Sequence, residues 1–191
     1  SGLQRLSDIL SQDTRRLELI KALNLQNQNG HIWYSPVLLP MIADKILIAL
    51  KDLDPTNADL YQSNTDQLIA SIREWANLTR SSINKAAPRY ILDHDFLSHF
   101  EKGMGIEATS VLHDSHDQQS GIQALREIKT ALRELPVKCL LINEPSASKI
   151  AKNLSNEFNL EIHNISLLSD NYQPSLIDSL NRLSAIMQHC H

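Results

Sequence analysis

No apolar run in this chain approaches the roughly 20 residues needed to cross a bilayer. The longest candidate, Ile42 to Leu50, carries Asp44 and Lys45 and reads as an amphipathic helix. No segment reads as a signal peptide, so the sequence gives no direct address. Ser1-Gly2 reads as a cloning remnant, which would place the natural N-terminus elsewhere. Five glycines and seven prolines among 191 residues exclude a fibrous or low-complexity chain. The net charge is only −4, and no basic stripe with interleaved aromatics occurs, which argues against nucleic acid as a partner. Neither Gly-x-Ser-x-Gly nor a glycine-rich phosphate loop is present, and no cysteine has an evident base beside it. Nothing here asks for an enzyme. The enzymatic option that remains is a hydrolase-like fold using His31 or His94 as a base.

Cysteine is scarce as well, with only Cys139 and Cys190. Two reduced, buried thiols are the usual reading in a cytosolic protein. Cys190 is the penultimate residue, however, where a buried thiol is hard to arrange. A disulfide tying the C-terminus to a core strand explains both positions and implies an oxidising compartment. Closing a loop of about 50 residues, it would contribute roughly 3–4 kcal/mol on the chain-entropy model. The residues alone leave both readings open.

What is present is ordinary for a globular domain: 42% hydrophobic and 21% charged residues, in a chain long enough to bury a sizeable core. Leu3 to Leu10 has helical spacing, and Leu17-Glu18-Leu19-Ile20 reads as a strand. A polar loop, Asn24 to Gly30, leads to a helix from about Pro36 to Leu53, with Pro40 predicting a kink or a late start. Asp54-Pro55 ends it. A spine helix then runs from about Asn57 to Ala86, with Leu68, Ile72 and Trp75 on one stripe. At roughly 30 residues it extends about 45 Å.

Beyond Pro88, short apolar runs alternate with helical segments. Strands are predicted at Tyr90–Leu92, Glu107–Leu112, Cys139–Ile142 and Leu160–Ile165. Helices are predicted at Phe96–Lys102 (closed by Gly103), Ile122–Leu135, Ser148–Phe158 and Ser175–Gln188. This alternation implies an α/β fold with a four-stranded, mainly parallel sheet flanked by helices. Cys139–Ile142 is the most apolar strand and is placed centrally.

Two histidines stand where such a fold collects ligands. His31 sits on a turn made permissive by Asn29 and Gly30, just before Ser35 and Pro36, which suit the cap and first position of a helix. His94 follows the first strand, at the carboxyl edge of the sheet. The loops at Glu144-Pro145 and Ser166 to Asp170 leave the same edge. Two imidazoles meeting across one cleft suit zinc, which takes about four N, O or S ligands. His113 and His116 read as part of a solvated loop, and His189 and His191 as frayed C-terminal residues. His99 falls on a helix and His163 in a strand, where structural or exposed roles are commoner than chemistry.

These segments also resemble a known family. Gly30-His31-Ile32-Trp33-Tyr34-Ser35-Pro36 is similar to the "DPHxWLSP" segment of metal-binding solute-binding proteins of bacterial ABC transporters. His94-Asp95-Phe96-Leu97-Ser98-His99-Phe100 resembles their "HDAFGYF" segment. The stretch Asp54-Pro55 to Asn64 resembles "DPxxAxxYxxN", and Cys139 to Pro145 resembles "CVFAEP". Order and spacing agree from about Leu17 onward. The cysteine pair looks like that of the zinc-specific, ZnuA-like branch, where the two form a disulfide.

The resemblance implies that His31 and His94 are metal ligands and that Cys139 pairs with Cys190. It implies zinc captured in the periplasm, without turnover, by a monomer that delivers it to a membrane permease. It also implies a two-lobed protein joined by a long helix. Residues 1–30 would then be the remnant of the first lobe, 31–87 the linker and spine, and 88–191 the C-terminal α/β lobe. Two departures follow. The first lobe, which supplies another histidine, is almost absent, so zinc is expected to bind weakly here. Ser166 stands where manganese-type members carry an aspartate, which argues against a manganese site. The chain reads as a fragment of a longer protein. The alternative is a reduced relative acting as a metal shuttle or permease-docking module.

Overall fold

Two short strands without a polar residue until their ends organise the protein. In the computed structural model, which describes residues 14–26, 28–113, 122–143, 147–165 and 175–191, they are β1 (Tyr90–His94) and β3 (Cys139–Ile142). β2 (Ser110–His113) flanks β1 and β4 (Glu161–Asn164) flanks β3, giving the order β2-β1-β3-β4 with every pairing parallel. A strand with neighbours on both sides and helices on both faces has no solvated surface, which is why β1 and β3 read as unbroken apolar runs.

Alternation along these strands sorts the core into two layers. Ile91, Leu140 and Ile142 face Ile128 and Leu132 of α5 (Ile122–Glu134), together with Ala151 and Leu154 of α6 (Lys149–Phe158). Tyr90, Leu92, Cys139 and Leu141 face the opposite layer. There they meet Ile72 and Trp75 of α3 (Ala58–Ala86), Phe100 of α4 (Ser98–Met104), and Leu180 and Leu183 of α7 (Leu176–His189). The 29 residues of α3 extend about 43 Å at the helical rise. Its middle is fixed to α7 by a buried polar pair: Trp75 Nε1–H donates to Ser184 Oγ over 2.8 Å, with Thr79 Oγ1 at 2.7 Å from the same hydroxyl.

α2 (Leu38–Leu53) begins late, as Pro40 predicts. Ser35 Oγ accepts from the Leu38 N–H at 3.1 Å and so still caps the first turn. Asp54, extended at φ −139°, ends it before Pro55. The predicted strand at Leu17–Ile20 is instead a single helical turn, α1 (Leu19–Ala22). Three apolar residues in four are too few to show a period, and Leu19 and Ile20 pack on Leu23, Leu25, Ile32 and Ile42 rather than on the sheet. The predicted helix at Leu3–Leu10 lies outside the described residues.

α4 runs through Gly103 and stops at Gly105, whose φ of +75° supplies the left-handed cap expected of Gly103. Gly103 serves a different purpose. A Cβ there would lie 2.4 Å from Cγ and 2.8 Å from Cδ of Pro36, so the helix approaches the His31 segment only because the side chain is missing. Gly103→Ala is expected to cost about 1–3 kcal/mol by overpacking. Urea unfolding of the two proteins measures it.

The cysteines are bonded to each other, with an S–S distance of 2.04 Å across 51 residues of sequence. Both are buried, and the Arg89 N–H donates to the Cys190 carbonyl at 2.6 Å. The chain end is therefore built into the core. That placement corrects the expectation of frayed ends: α7 extends through His189, whose ring bonds to Glu161, and the His191 ring contacts the Gln188 carbonyl.

Candidate metal centre

β2 leaves β1 on one side and β3 joins it on the other, so the strand order reverses between β1 and β3. In a parallel sheet that reversal opens a crevice beyond the carboxyl ends of the strands. His94 is the last residue of β1, and Asn143 follows β3 directly. The wall opposite is the turn after Gly30. Its 3-10 segment, Ile32–Tyr34, buries Ile32 and Tyr34 and leaves His31, at its N-terminal end, half-exposed.

Tyr34 holds the turn against the sheet. Its hydroxyl lies 2.8 Å from Asn143 Oδ1 and 3.0 Å from the Ile165 carbonyl, so the exits of β3 and β4 converge on one phenol. Burial pushes that phenol up to about 12, and it stays a neutral hydroxyl. Phe96 forms the floor, its ring centroid 5.1 Å from that of His94 and 6.4 Å from that of His31. Half-exposed Trp33 stands edge-on to His31 at 5.3 Å.

The two imidazoles meet here. Their centroids are 5.4 Å apart and their planes inclined at 51°. Residues 63 positions apart in sequence thus share one groove, as the sequence reading expects. Among the described residues, no third His, Cys, Asp or Glu completes a compact ligand set with them.

Asn29 is the residue that sequence reasoning missed. Its Oδ1 accepts from both the His31 backbone N–H at 2.9 Å and the ring Nδ1–H at 2.7 Å. Its own Nδ2 donates to the Asp95 carbonyl at 2.5 Å, and the His99 Nε2–H donates to the Asn29 carbonyl at 2.8 Å. Asn29 therefore fastens the His31 turn to the segment after β1, and places the proton on Nδ1 so that Nε2 carries the lone pair. The available signal was an Asx residue two positions before a histidine, the spacing of a side-chain turn. His99 has the structural role expected of it.

His113 ends β2 in register with His94, while Asp114, His116, Glu144 and Ser166 to Asp170 fall outside the described residues. Asp93 is buried and accepts from Ser148 Oγ at 3.1 Å, the same hydroxyl that caps α6.

Comparison with known proteins shows the family of the chain. Residues 4–187 match the family model described as zinc-uptake complex component A, periplasmic (ZnuA). The chain belongs to the ZnuA family. It is 29% identical over 128 residues to the high-affinity zinc uptake system protein ZnuA of Bacillus subtilis (strain 168), covering 66% of this chain and 40% of that protein. Its identity to the same-named protein of Haemophilus influenzae is 22% over 143 residues, covering 74% and 42%. The chain thus spans about two-fifths of the length of these curated relatives.

The fold recurs in solved ZnuA-like structures. The laminin-binding protein Lmb of Streptococcus agalactiae superposes with a TM-score of 0.76 at 21% identity, over 96% of this chain and 76% of that one. A crystal structure of ZnuA gives 0.71 at 17% identity, over 84% and 59%. Of the segments read from the sequence, the His31 turn and the exit of β1 form the crevice.

Proposed function

We propose that this chain is the zinc-capturing C-terminal part of a periplasmic solute-binding protein, with His31 and His94 as ligands to the ion it carries. The observation behind this reading is the 5.4 Å separation of the two ring centroids. An ion about 2.1 Å from one nitrogen of each imidazole, at a tetrahedral angle, sets the centroids about 5 Å apart. The donor chemistry suits a borderline ion: two imidazoles, one oriented through its Nδ1–H by Asn29. Water completes the shell in this chain.

In this reading residues 1–30 belong to the end of a first lobe, 31–87 carry the link and spine, and 88–191 form the second lobe. The protein works by binding and release rather than turnover, handing zinc to the permease of an ABC transporter. Among the described residues no third ligand joins His31 and His94, which also suits a second reading, a reduced relative that shuttles metal with low affinity.

Zinc calorimetry tests the proposal: heat from the crevice disappears in His31→Ala and in His94→Ala. Retention of that heat in both overturns it. Asn29→Ala, which keeps both ligands and removes only their support, is expected to weaken zinc binding by ~10–100-fold. Its calorimetric affinity, compared with that of the parent chain, checks this.

A further inference from the structure

We propose that Glu161, His163 and His189 form a second site for a late first-row divalent ion such as zinc. It stands apart from the His31–His94 crevice and does not depend on that assignment. Glu161 and His163 are two residues apart on β4, so both side chains leave the same face of the strand. Register with Cys139 and Leu141 shows which face this is: the one covered by α7. The last residue of α7 is His189, and the Cys139–Cys190 bond anchors the position that follows it.

The three side chains converge as a result. Their ligand atoms all lie within 4.8 Å of one another. The His189 Nε2–H donates to Glu161 Oε2 at 2.8 Å, and His163 Nε2 is 3.5 Å from the same oxygen. Bonds of about 2.0–2.1 Å around a tetrahedral ion separate neighbouring ligand atoms by about 3.4 Å, which the 3.5 Å between His163 Nε2 and Glu161 Oε2 matches.

A further observation points to a missing partner. His163 Nε2 is fully enclosed and makes no hydrogen bond among the described residues, a costly state for a ring nitrogen and one that a metal relieves. The side chains of Glu161 and His189 are 57% and 55% exposed, which leaves an open side for water as the fourth ligand. Two imidazoles and a carboxylate select zinc, copper or nickel over calcium or magnesium. The bonded sulfurs of Cys139 and Cys190 lie near His163 but carry no thiolate, so they are not ligands.

The experiment is titration with zinc chloride of the full chain carrying both His31→Ala and His94→Ala, followed by calorimetry and by NMR of the imidazole resonances. One equivalent of zinc is expected to remain, with His163 and His189 as the shifted rings. Adding His189→Ala or Glu161→Ala should then weaken it by more than the ~10–100-fold that accompanies loss of a supporting hydrogen bond. Both are exposed positions where alanine does not threaten the fold. Absence of bound zinc in the double variant, or retention unchanged after His189→Ala, overturns the second site. Full zinc uptake by the double variant, lost with His189→Ala, would leave this site standing and remove the crevice reading instead.

Discussion

Zinc affinity at the crevice falls ~100-fold or more in His94→Ala, and by a similar amount in His31→Ala. Each change removes one of two protein nitrogens, a larger loss than the ~10–100-fold that follows removal of a supporting group. The double variant should lose little beyond either single one, because a lone imidazole cannot hold the ion and the two residues act as a unit. Stability without metal should change much less. Both rings are only partly buried; each gives up its contact with Phe96, on the scale of about 0.5–1.5 kcal/mol for a ring pair, and His31 also gives up its hydrogen bond to Asn29. Calorimetry in a His189→Ala background isolates the crevice from the edge cluster. Thermal unfolding without zinc separates ligand loss from misfolding. Equal affinity in parent and variants would mean that the rings are neighbours and nothing more.

The second large effect concerns the chain end. Removing the Cys139–Cys190 bond frees a loop spanning 51 residues, worth about 4 kcal/mol in the chain-entropy model. For a domain of this size that corresponds to a fall in Tm of about 8–16 °C. Paired Cys139→Ser and Cys190→Ser substitutions, or reduction by dithiothreitol, should show it in calorimetric scans. Cys139 opens β3, whereas His94 closes β1, so the crevice stands at the other end of these parallel strands. Zinc affinity there is expected to be unchanged at temperatures where the reduced protein is still folded. A fall of 1–2 °C would mean that the core alone fixes the end of α7.

How much of this could be read in the residues depends on the range of the forces involved. β1, β3 and α3 were legible because burial on two faces, or on one long stripe, leaves a pattern in consecutive residues. α1 was misread because three apolar residues in four fit a turn and a strand equally well. Gly103 and Gly105 look alike in sequence, and only the approach of Pro36 separates a packing glycine from a capping one. The cysteines allowed two readings until the fold buried Cys190. His31 and His94 were found through their positions at chain turns, yet nothing local shows that they meet. The Asn29 hydrogen bonds lie within two residues of His31 and were available to a closer reading. The edge cluster was not, since His189 joins Glu161 and His163 only through the docking of α7 on β4.

The most direct measurement is anomalous diffraction at the zinc edge from crystals of the zinc-loaded chain. The account requires a peak about 2.0–2.1 Å from a ring nitrogen of both His31 and His94. A zinc-loaded crystal with no peak between those two rings would contradict it, wherever else zinc was found.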